Sequence, residues 1–364
     1  MKIKAAVVRE KSGPFQIEEL DLEDPRDDEV LVRMEGCGIC HTDLSARDQL
    51  TPSPLPIVLG HEGSGIVEKV GDRVRKIKPG DHVVLSSMFC GTCAYCRKGK
   101  PDICSSTFSL NFFGTRADGS VTMQKNGEKV HGSFFGQSSF ASHALAHERN
   151  TIKVPEDIPI EILGPLGCGV RTGAGSVIHS LDAKAGSSIA VFGTGSVGMN
   201  AILAASLCGC AKIFAVDVME ERLIQAAGFG ATHTIHSGKS DPVKEILHMC
   251  REGIEYSLDC TGNPGAIRQA VDVLAPGGTC GLIGAPPPGT EANLDVLHFL
   301  PGRRVIGIMG GDAIPEIAFP ELIELYRQGR FPFDRMIRFY SLEDINDAVR
   351  DCENGKTIKA VLRP

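Results

Sequence analysis

The amino-acid sequence predicts an α/β protein made of a β-rich domain and a doubly wound parallel-sheet domain. Short alternating segments such as KIKAAVV, EVLVRM and DHVVLS, separated by Gly, Pro and Asp, dominate residues 1–155 and indicate strands joined by loops. From about residue 160, strand-like runs such as SSIAVFG and AKIFAVD alternate with helix-like runs such as MNAILAASL, an order typical of a parallel sheet. The last segment, KTIKAVLRP, is strand-like, and we expect it to rejoin the first domain.

Composition restricts the class of protein. A chain of 364 residues with 42% hydrophobic side chains is long enough for two globular cores. The net charge of −7, with no basic cluster, argues against a nucleic-acid partner. The segment MKIKAAVVREKSG lacks the apolar run of a signal peptide, and no apolar stretch reaches spanning length, so we expect a cytoplasmic protein without membrane contact.

Four of the 13 cysteines are grouped within one short loop. Thiols grouped in a reducing compartment usually bind metal. The C-x2-C-x2-C-x7-C spacing predicts a tetrahedral zinc site whose positions are all filled by protein, which makes it structural; an iron–sulfur cluster is the alternative occupant. The four ligands are Cys90, Cys93, Cys96 and Cys104.

A second candidate metal set is dispersed along the chain. Cys40 in GCGICHTD, His61 in GHEGSG and Cys168 in PLGCGVRTG would supply two thiolates and one imidazole. Three protein ligands leave one position open, which is the pattern of a catalytic, Lewis-acidic zinc. Asp43 is expected to orient the imidazole, and Glu62 either to enter the coordination sphere transiently or to tune its field. The sequence does not separate those two roles.

A glycine-rich loop follows the strand SSIAVF and precedes the run MNAILAASL. At such a junction, backbone N–H groups and a helix N-terminus accept a pyrophosphate. Asp217 ends the next strand, where a carboxylate would bind the adenosine ribose and repel a 2′-phosphate. NAD is therefore favoured over NADP, although Arg222 is near enough to soften the preference. The predicted loop contacts are Gly193, Gly195, Ser196, Val197 and Gly198.

With these sets in place, the chain resembles the zinc-dependent medium-chain alcohol dehydrogenases over nearly its whole length. The resemblance rests on GHEGSGIVEKVG, the four-cysteine loop, GCGVRTGAGSV and GTGSVG, in that order. It implies a GroES-like catalytic domain over residues 1–169 and 309–364 and a Rossmann NAD-binding domain over residues 170–308. It also implies two zinc ions per chain, one catalytic and one structural, and a homodimer or homotetramer formed through strands near RVIGIM.

The resemblance further implies residue roles. Thr42 would take the substrate proton and pass it to the nicotinamide ribose, while His41 and Lys359 would contact the cofactor pyrophosphate. Ser45 stands where several family members carry a histidine that completes proton release. We therefore expect alcohol oxidation to require a higher pH than in a histidine-bearing member.

Substrate choice is open between two branches of the family. The segments SLNFFGTRADGS and GSFFGQSSF are most similar to the aryl-alcohol (benzyl alcohol) branch, with Phe134, Phe135 and Phe140 as expected walls of an apolar slot for a primary aromatic or allylic alcohol. The alternative is a formaldehyde dehydrogenase acting on a glutathione or other thiol adduct, for which Arg116 would bind the thiol's carboxylates. A non-catalytic NAD- and zinc-binding protein is the alternative from a different class.

Overall fold

The computed structural model describes residues 1–364. Its strands are β1 Lys2–Val8, β2 Gln16–Leu22, β3 Glu29–Gly38, β4 Ile57–Val58, β5 Glu62–Val70, β6 His82–Leu85, β7 Met123–Lys125, β8 Glu128–Val130, β9 His143–His147, β10 Thr151–Lys153, β11 Ser188–Phe192, β12 Lys212–Asp217, β13 His233–His236, β14 Ile254–Asp259, β15 Leu274–Leu282, β16 Arg304–Gly307, β17 Ile337–Ser341 and β18 Lys359–Arg363. Its α-helices are α1 His41–Arg47, α2 Ala94–Arg97, α3 Thr107–Phe112, α4 Gly169–Gly175, α5 Ser196–Leu207, α6 Glu220–Gly228, α7 Pro242–Met249, α8 Pro264–Asp272, α9 Pro315–Arg327 and α10 Ile345–Glu353. No helix combines the length and the apolar composition that a membrane span requires.

The chain divides into two compact units. The first contains residues 1–168, 314–320 and 334–364, and the second contains residues 169–313 and 321–333. These units differ from the predicted domains mainly at residues 309–313 and 321–333, which belong to the second unit. Residues 309–313 pack closely against α4. The Gly311 carbonyl lies so near Gly175 that a side chain at Gly175 would collide with it, and Arg171 donates to the Ala313 carbonyl at 2.7 Å.

Two sheets form the first unit. One has the order β4-β1-β2-β7-β8, and the other has the order β10-β6-β5-β3-β18-β17, with β9 also paired to β3. The expected return of the C-terminal segment is confirmed, since β18 pairs antiparallel with β3 through Val361 and Gly38. Alternation of buried and exposed side chains along β1 and β2 places Ile3 and Leu20 in a core shared with Phe140.

A six-stranded sheet with parallel pairing throughout forms the second unit. Its order is β13-β12-β11-β14-β15-β16. All five residues of β11 are buried, as expected for a central strand covered on both faces. This is the order of a dinucleotide-binding doubly wound sheet, in which ligands bind at the carboxyl ends of the strands where the winding direction reverses. Here the reversal lies between β11 and β14. The predicted α/β fold class is confirmed.

Candidate active site and metal sites

Four side chains from distant parts of the first unit meet at one point. The Sγ atoms of Cys40 and Cys168, a ring nitrogen of His61 and a carboxylate oxygen of Glu62 all lie within 4.8 Å of one another. Cys40 precedes α1, His61 immediately precedes β5, Glu62 begins β5, and Cys168 follows a short 3-10 turn that ends at Gly167. The dispersed set proposed from the sequence is thus spatially compact.

His61 is oriented by Asp43. Its Nδ1 lies 2.8 Å from Asp43 Oδ1, which also accepts the Gly60 N–H at 3.0 Å, while Asp43 Oδ2 accepts the Cys40 N–H at 3.0 Å. The Nε2 atom is buried and has no hydrogen-bond partner. Burying a polar nitrogen without a partner is costly, so this atom fits a metal ion. Burial lowers the pKa of His61, but the Asp43 carboxylate and the Cys40 sulfur together outweigh it, and the net direction is upward.

The two thiols of this cluster lie against each other. The hydrogen bond from Cys168 lowers the pKa of Cys40 well below the ordinary thiol value, and the same contact raises the pKa of Cys168 well above it. A thiolate, a second sulfur and an imidazole nitrogen form a donor set that zinc accepts readily. These residues therefore fit a zinc ion with three protein ligands.

Glu62 forms a buried ion pair with Lys359. The Lys359 ammonium donates to both Glu62 oxygens, at 2.9 and 2.8 Å, and to the Ile39 carbonyl at 2.9 Å. Burial raises the pKa of Glu62 to about 7 despite the ammonium beside it. An ammonium has three protons, and all three are donated here. A phosphate contact would require one of these bonds to be given up, so the cofactor role of Lys359 stays a prediction.

Helix α1 carries the expected proton-transfer residues. Thr42 is half-buried, with its Oγ1 3.7 Å from Cys40 Sγ. His41 is exposed, and Ser45 is buried within the same helix. Thr42 thus lies against the metal cluster, whereas nothing in the structure assigns a partner to His41.

The four-cysteine loop closes on itself. The Cys90, Cys93, Cys96 and Cys104 sulfurs lie within 4.8 Å of one another. Backbone N–H groups point at these sulfurs, for example Cys93 N–H to Cys90 Sγ at 3.3 Å. Such bonds lower the pKa of Cys90 to about 7 and that of Cys93 to about 5, while burial raises that of Cys96 to about 12. Four converging sulfurs, some already thiolate at neutral pH, fit a zinc ion without an open position.

In the glycine loop of the second unit, each of the three glycines is needed for a different structural reason. Gly193 has a φ of +87°, a side chain at Gly195 would meet open space, and a side chain at Gly198 would lie 1.9 Å from the Gly193 carbonyl. The loop therefore turns tightly, lets a ligand approach the backbone and packs α5 against β11. Ser196 Oγ is buried there without a partner, and Val197 is half-buried. This end of α5 fits a dinucleotide phosphate.

Asp217 is placed at the end of β12 beside this loop. One carboxylate oxygen accepts the Thr194 N–H and hydroxyl at 2.7 and 2.8 Å, and the other accepts the Val218 and Met219 N–H groups. The carboxylate therefore holds the loop together. Its contact with a ribose stays a prediction, as does that of Arg222, which is half-buried on α6.

The expected substrate residues are only partly placed as predicted. Phe134 and Phe140 are fully buried in the core of the first unit, and the Phe134 ring also meets the His61 ring edge-on with centroids 5.9 Å apart, so their place in the slot stays a prediction. Phe135 is half-buried, with a φ of +52°, and its ring lies on the His61 ring with centroids 4.5 Å apart. Arg116 is bound to Glu29 and Glu23 at 2.6 Å each, which leaves it committed to an internal ion pair.

Two family models match this chain. Residues 26–156 match the family model for the alcohol dehydrogenase GroES-like domain, and residues 196–328 match that for zinc-binding dehydrogenases. The chain belongs to the zinc-dependent alcohol dehydrogenase family. This confirms the resemblance found in the sequence, and it makes the protein an alcohol oxidoreductase.

Three members of the alcohol dehydrogenase family are similar over nearly their whole length. A geraniol dehydrogenase of Castellaniella defragrans is 44% identical, with 99% of this chain and 97% of that protein covered. The crystal structure of benzyl alcohol dehydrogenase from Acinetobacter calcoaceticus is 45% identical, covers 100% of this chain and 99% of its own, and has a TM-score of 0.96. An alcohol dehydrogenase zinc-binding domain protein from Burkholderia ambifaria is 49% identical at the same coverage, with a TM-score of 0.97.

Two features of the site were not anticipated from the sequence. The partner of Glu62 is 297 residues away, and no local pattern marks Lys359 as an ion-pair residue. Gln137 stands in GSFFGQSSF, where no spacing or motif marks a single glutamine as a site residue. Its full burial is a property of the fold.

Proposed function

We propose that this chain oxidises a primary alcohol, aromatic or allylic, to the aldehyde with NAD as hydride acceptor, and catalyses the reverse reaction. The observation that supports it most is the convergence of Cys40, His61 and Cys168 around a buried, unpartnered ring nitrogen. Zinc held by these three residues would supply a Lewis acid with one open position, and NAD at the glycine loop would supply the hydride acceptor.

The chain's own residues perform the remaining tasks. Asp43 holds the His61 ring in one orientation and, through the Gly60 and Cys40 N–H groups, fixes two neighbouring segments. Thr42, beside Cys40, accepts the hydroxyl proton of the substrate at Oγ1 and passes on its own proton. Glu62 and Lys359 place a balanced pair of charges behind the ligands.

The position of Phe135 supports an aromatic or allylic alcohol as the substrate. A half-buried ring lying against His61 offers an apolar, planar surface next to the reacting position. Two relatives are named for geraniol and for benzyl alcohol, and both of these alcohols carry a hydroxymethyl group next to a π system. The thiol-adduct alternative is weakened because Arg116, its expected carboxylate partner, is bound to Glu29 and Glu23.

The test is metal content combined with turnover. We expect two zinc ions per chain by mass spectrometry, one of which is lost in Cys168→Ser and the other in Cys93→Ser. With NAD, kcat/KM for benzyl alcohol, cinnamyl alcohol and geraniol should exceed that for ethanol by roughly a hundredfold, which is about 2.7 kcal/mol. Preference for a hydroxymethyl thiol adduct would favour the alternative branch. Two zinc ions without turnover would favour the non-catalytic protein.

We also propose that the chain forms homodimers or homotetramers in the cytoplasm through the open edge of β16. This strand pairs only with β15, and the segment before it exposes Val296, Leu297 and Leu300 at 78%, 70% and 76%. An unpaired edge next to exposed apolar side chains suits pairing with a second copy. Sedimentation of Leu297→Asp, expected to shift to the monomer, tests this.

A further inference from the structure

Gln137 is a fully buried amide behind the candidate catalytic metal site. It follows the turn Phe134–Gly136, in which Phe135 and Gly136 have φ values of +52° and +66°, and it precedes Ser138, with a φ of +51°. Left-handed backbone at two residues other than glycine is unfavourable and is retained where the surroundings require it. The bend directs the Gln137 side chain into the protein.

The amide of Gln137 binds the main chain on both sides of Glu62. Its Nε2 donates to the His61 carbonyl at 3.0 Å, and its Oε1 accepts the Gly63 N–H at 3.1 Å. Because a carbonyl only accepts and an N–H only donates, these contacts fix which way round the amide lies. One side chain thus clamps the segment that carries both His61 and Glu62.

The clamp is itself held in place. Gln137 Oε1 also accepts the Ser139 hydroxyl at 2.7 Å, and Ser139 Oγ accepts the Cys37 thiol proton at 3.3 Å. Gln137 Nε2 makes a second, longer bond of 3.3 Å to the Ser86 carbonyl. Ser139 and Cys37 are fully buried. A buried network with all its members bonded is rigid, and such outer contacts set the orientation of metal ligands.

We propose that Gln137 is a positioning residue for the catalytic metal, acting through the main chain of His61 and Gly63. Asp43 fixes the His61 ring, and Gln137 fixes the backbone that carries it. The inference rests on the proposed catalytic zinc, and it concerns how firmly that ion is held. It predicts that Gln137→Glu, which keeps the shape but replaces both N–H donors with acceptors facing the His61 and Ser86 carbonyls, loosens one metal site of the two.

The experiment measures metal release from the intact holoenzyme into excess chelator. Two release phases are expected, and the phase missing in Cys168→Ser belongs to the catalytic site. In Gln137→Glu we expect this phase to be about 10-fold to 100-fold faster, with the four-cysteine phase unchanged. With cobalt replacing the catalytic zinc, the visible ligand-field bands should shift in Gln137→Glu, which reports the ligand geometry independently of turnover.

The matched control is Asn346→Asp. Asn346 pairs its amide with both backbone groups of Phe15, at 3.0 and 2.9 Å, so the substitution removes bonds of the same kind elsewhere in the first unit. It should leave both release phases and the cobalt spectrum unchanged. Ser139→Ala, which removes one bond to Gln137, is the milder variant and should accelerate catalytic release by a smaller factor. If Gln137→Glu does not fold, the release rate of the catalytic metal in Ser139→Ala tests the proposal instead.

Two results would overturn the proposal: catalytic release at the parental rate in the folded variants, or equal acceleration of both phases, which would indicate general destabilisation. A parental protein that holds only one zinc ion per chain, bound by the four-cysteine loop, would instead contradict the proposed catalytic zinc. The two failures are therefore distinguishable.

Discussion

The Lys359 ammonium lies 2.8 Å from Glu62 Oε2, and neither side chain is more than 3% exposed. Removing one member of a buried ion pair leaves the other charge uncompensated. In Lys359→Met we expect the free energy of unfolding to fall by about 3–5 kcal/mol. The additional change Glu62→Gln should restore part of the loss, as measured by urea denaturation.

The loss in Lys359→Met should depend on pH. The pKa of Glu62 is already raised to about 7 by burial, above its ordinary value of 4.5, and it rises further without the ammonium. A carboxyl with a raised pKa stabilises the folded state at low pH and loses this effect as pH rises through the folded-state pKa. The variant should therefore be closest to the parent near pH 5 and weakest above pH 8. A deficit that is constant with pH would contradict this assignment.

A second ion pair makes the parent sensitive to acid. Hydrogen bonds from Arg9 lower the pKa of Glu18 from 4.5 to about 2. The stabilisation is present above the unfolded-state pKa near 4.5 and is lost as pH falls through about 2. In Glu18→Gln the free energy of unfolding should fall by about 2–3 kcal/mol at pH 7 and should change little at pH 2. The control is the exposed pair of Glu343 with Lys4, where Glu343→Gln should change the free energy of unfolding by less than about 1 kcal/mol.

Cofactor choice should depend on Asp217. In Asp217→Ala, loss of the ribose contact and of the repulsion of a 2′-phosphate should lower the ratio of kcat/KM for NAD to that for NADP by about 10-fold to 100-fold. Thr194→Val removes one bond to the same carboxylate and is the control for disturbance of the loop. An equal fall in that control would assign Asp217 a purely structural role.

Substrate choice should depend on Phe135. Truncation to Ala removes the ring lying on His61, and kcat/KM for benzyl alcohol should fall about 10-fold to 100-fold relative to that for ethanol. Phe113 is 42% exposed and contacts Phe108 edge-on, so Phe113→Ala is the matched aromatic control. Equal losses for both alcohols would place Phe135 outside the substrate surface.

Proton release should depend on the residue at position 45. Ser45 is buried in α1, the helix that also carries Thr42. We expect Ser45→His to supply a titratable group and to move the pH profile of alcohol oxidation to lower pH. An identical profile in the variant would show that the proton leaves by another route.

The features that were predictable from the sequence are those set by local chain geometry or by an ordered series of motifs. The four-cysteine loop lies within 15 residues, and the glycine loop lies at a strand-to-helix junction, so spacing alone indicated their chemistry. The burial of the adjacent phenylalanines was not predictable in this way. Phe134 and Phe135 are equivalent in the sequence, yet Phe134 is fully buried whereas Phe135, which has a φ of +52°, is half-buried. Long-range pairs such as Lys359 with Glu62 leave no local pattern.

The four-cysteine loop has one more chemical consequence. The Cys93 and Cys96 sulfurs are 3.5 Å apart, and the pKa of Cys93 is lowered to about 5, which keeps it a nucleophilic thiolate at neutral pH. A thiolate so close to a second sulfur is readily oxidised to a disulfide. Bound zinc would engage the electron pairs through which that reaction proceeds. The metal would then act as a protecting group for its own ligands, and its loss under oxidising conditions would be difficult to reverse.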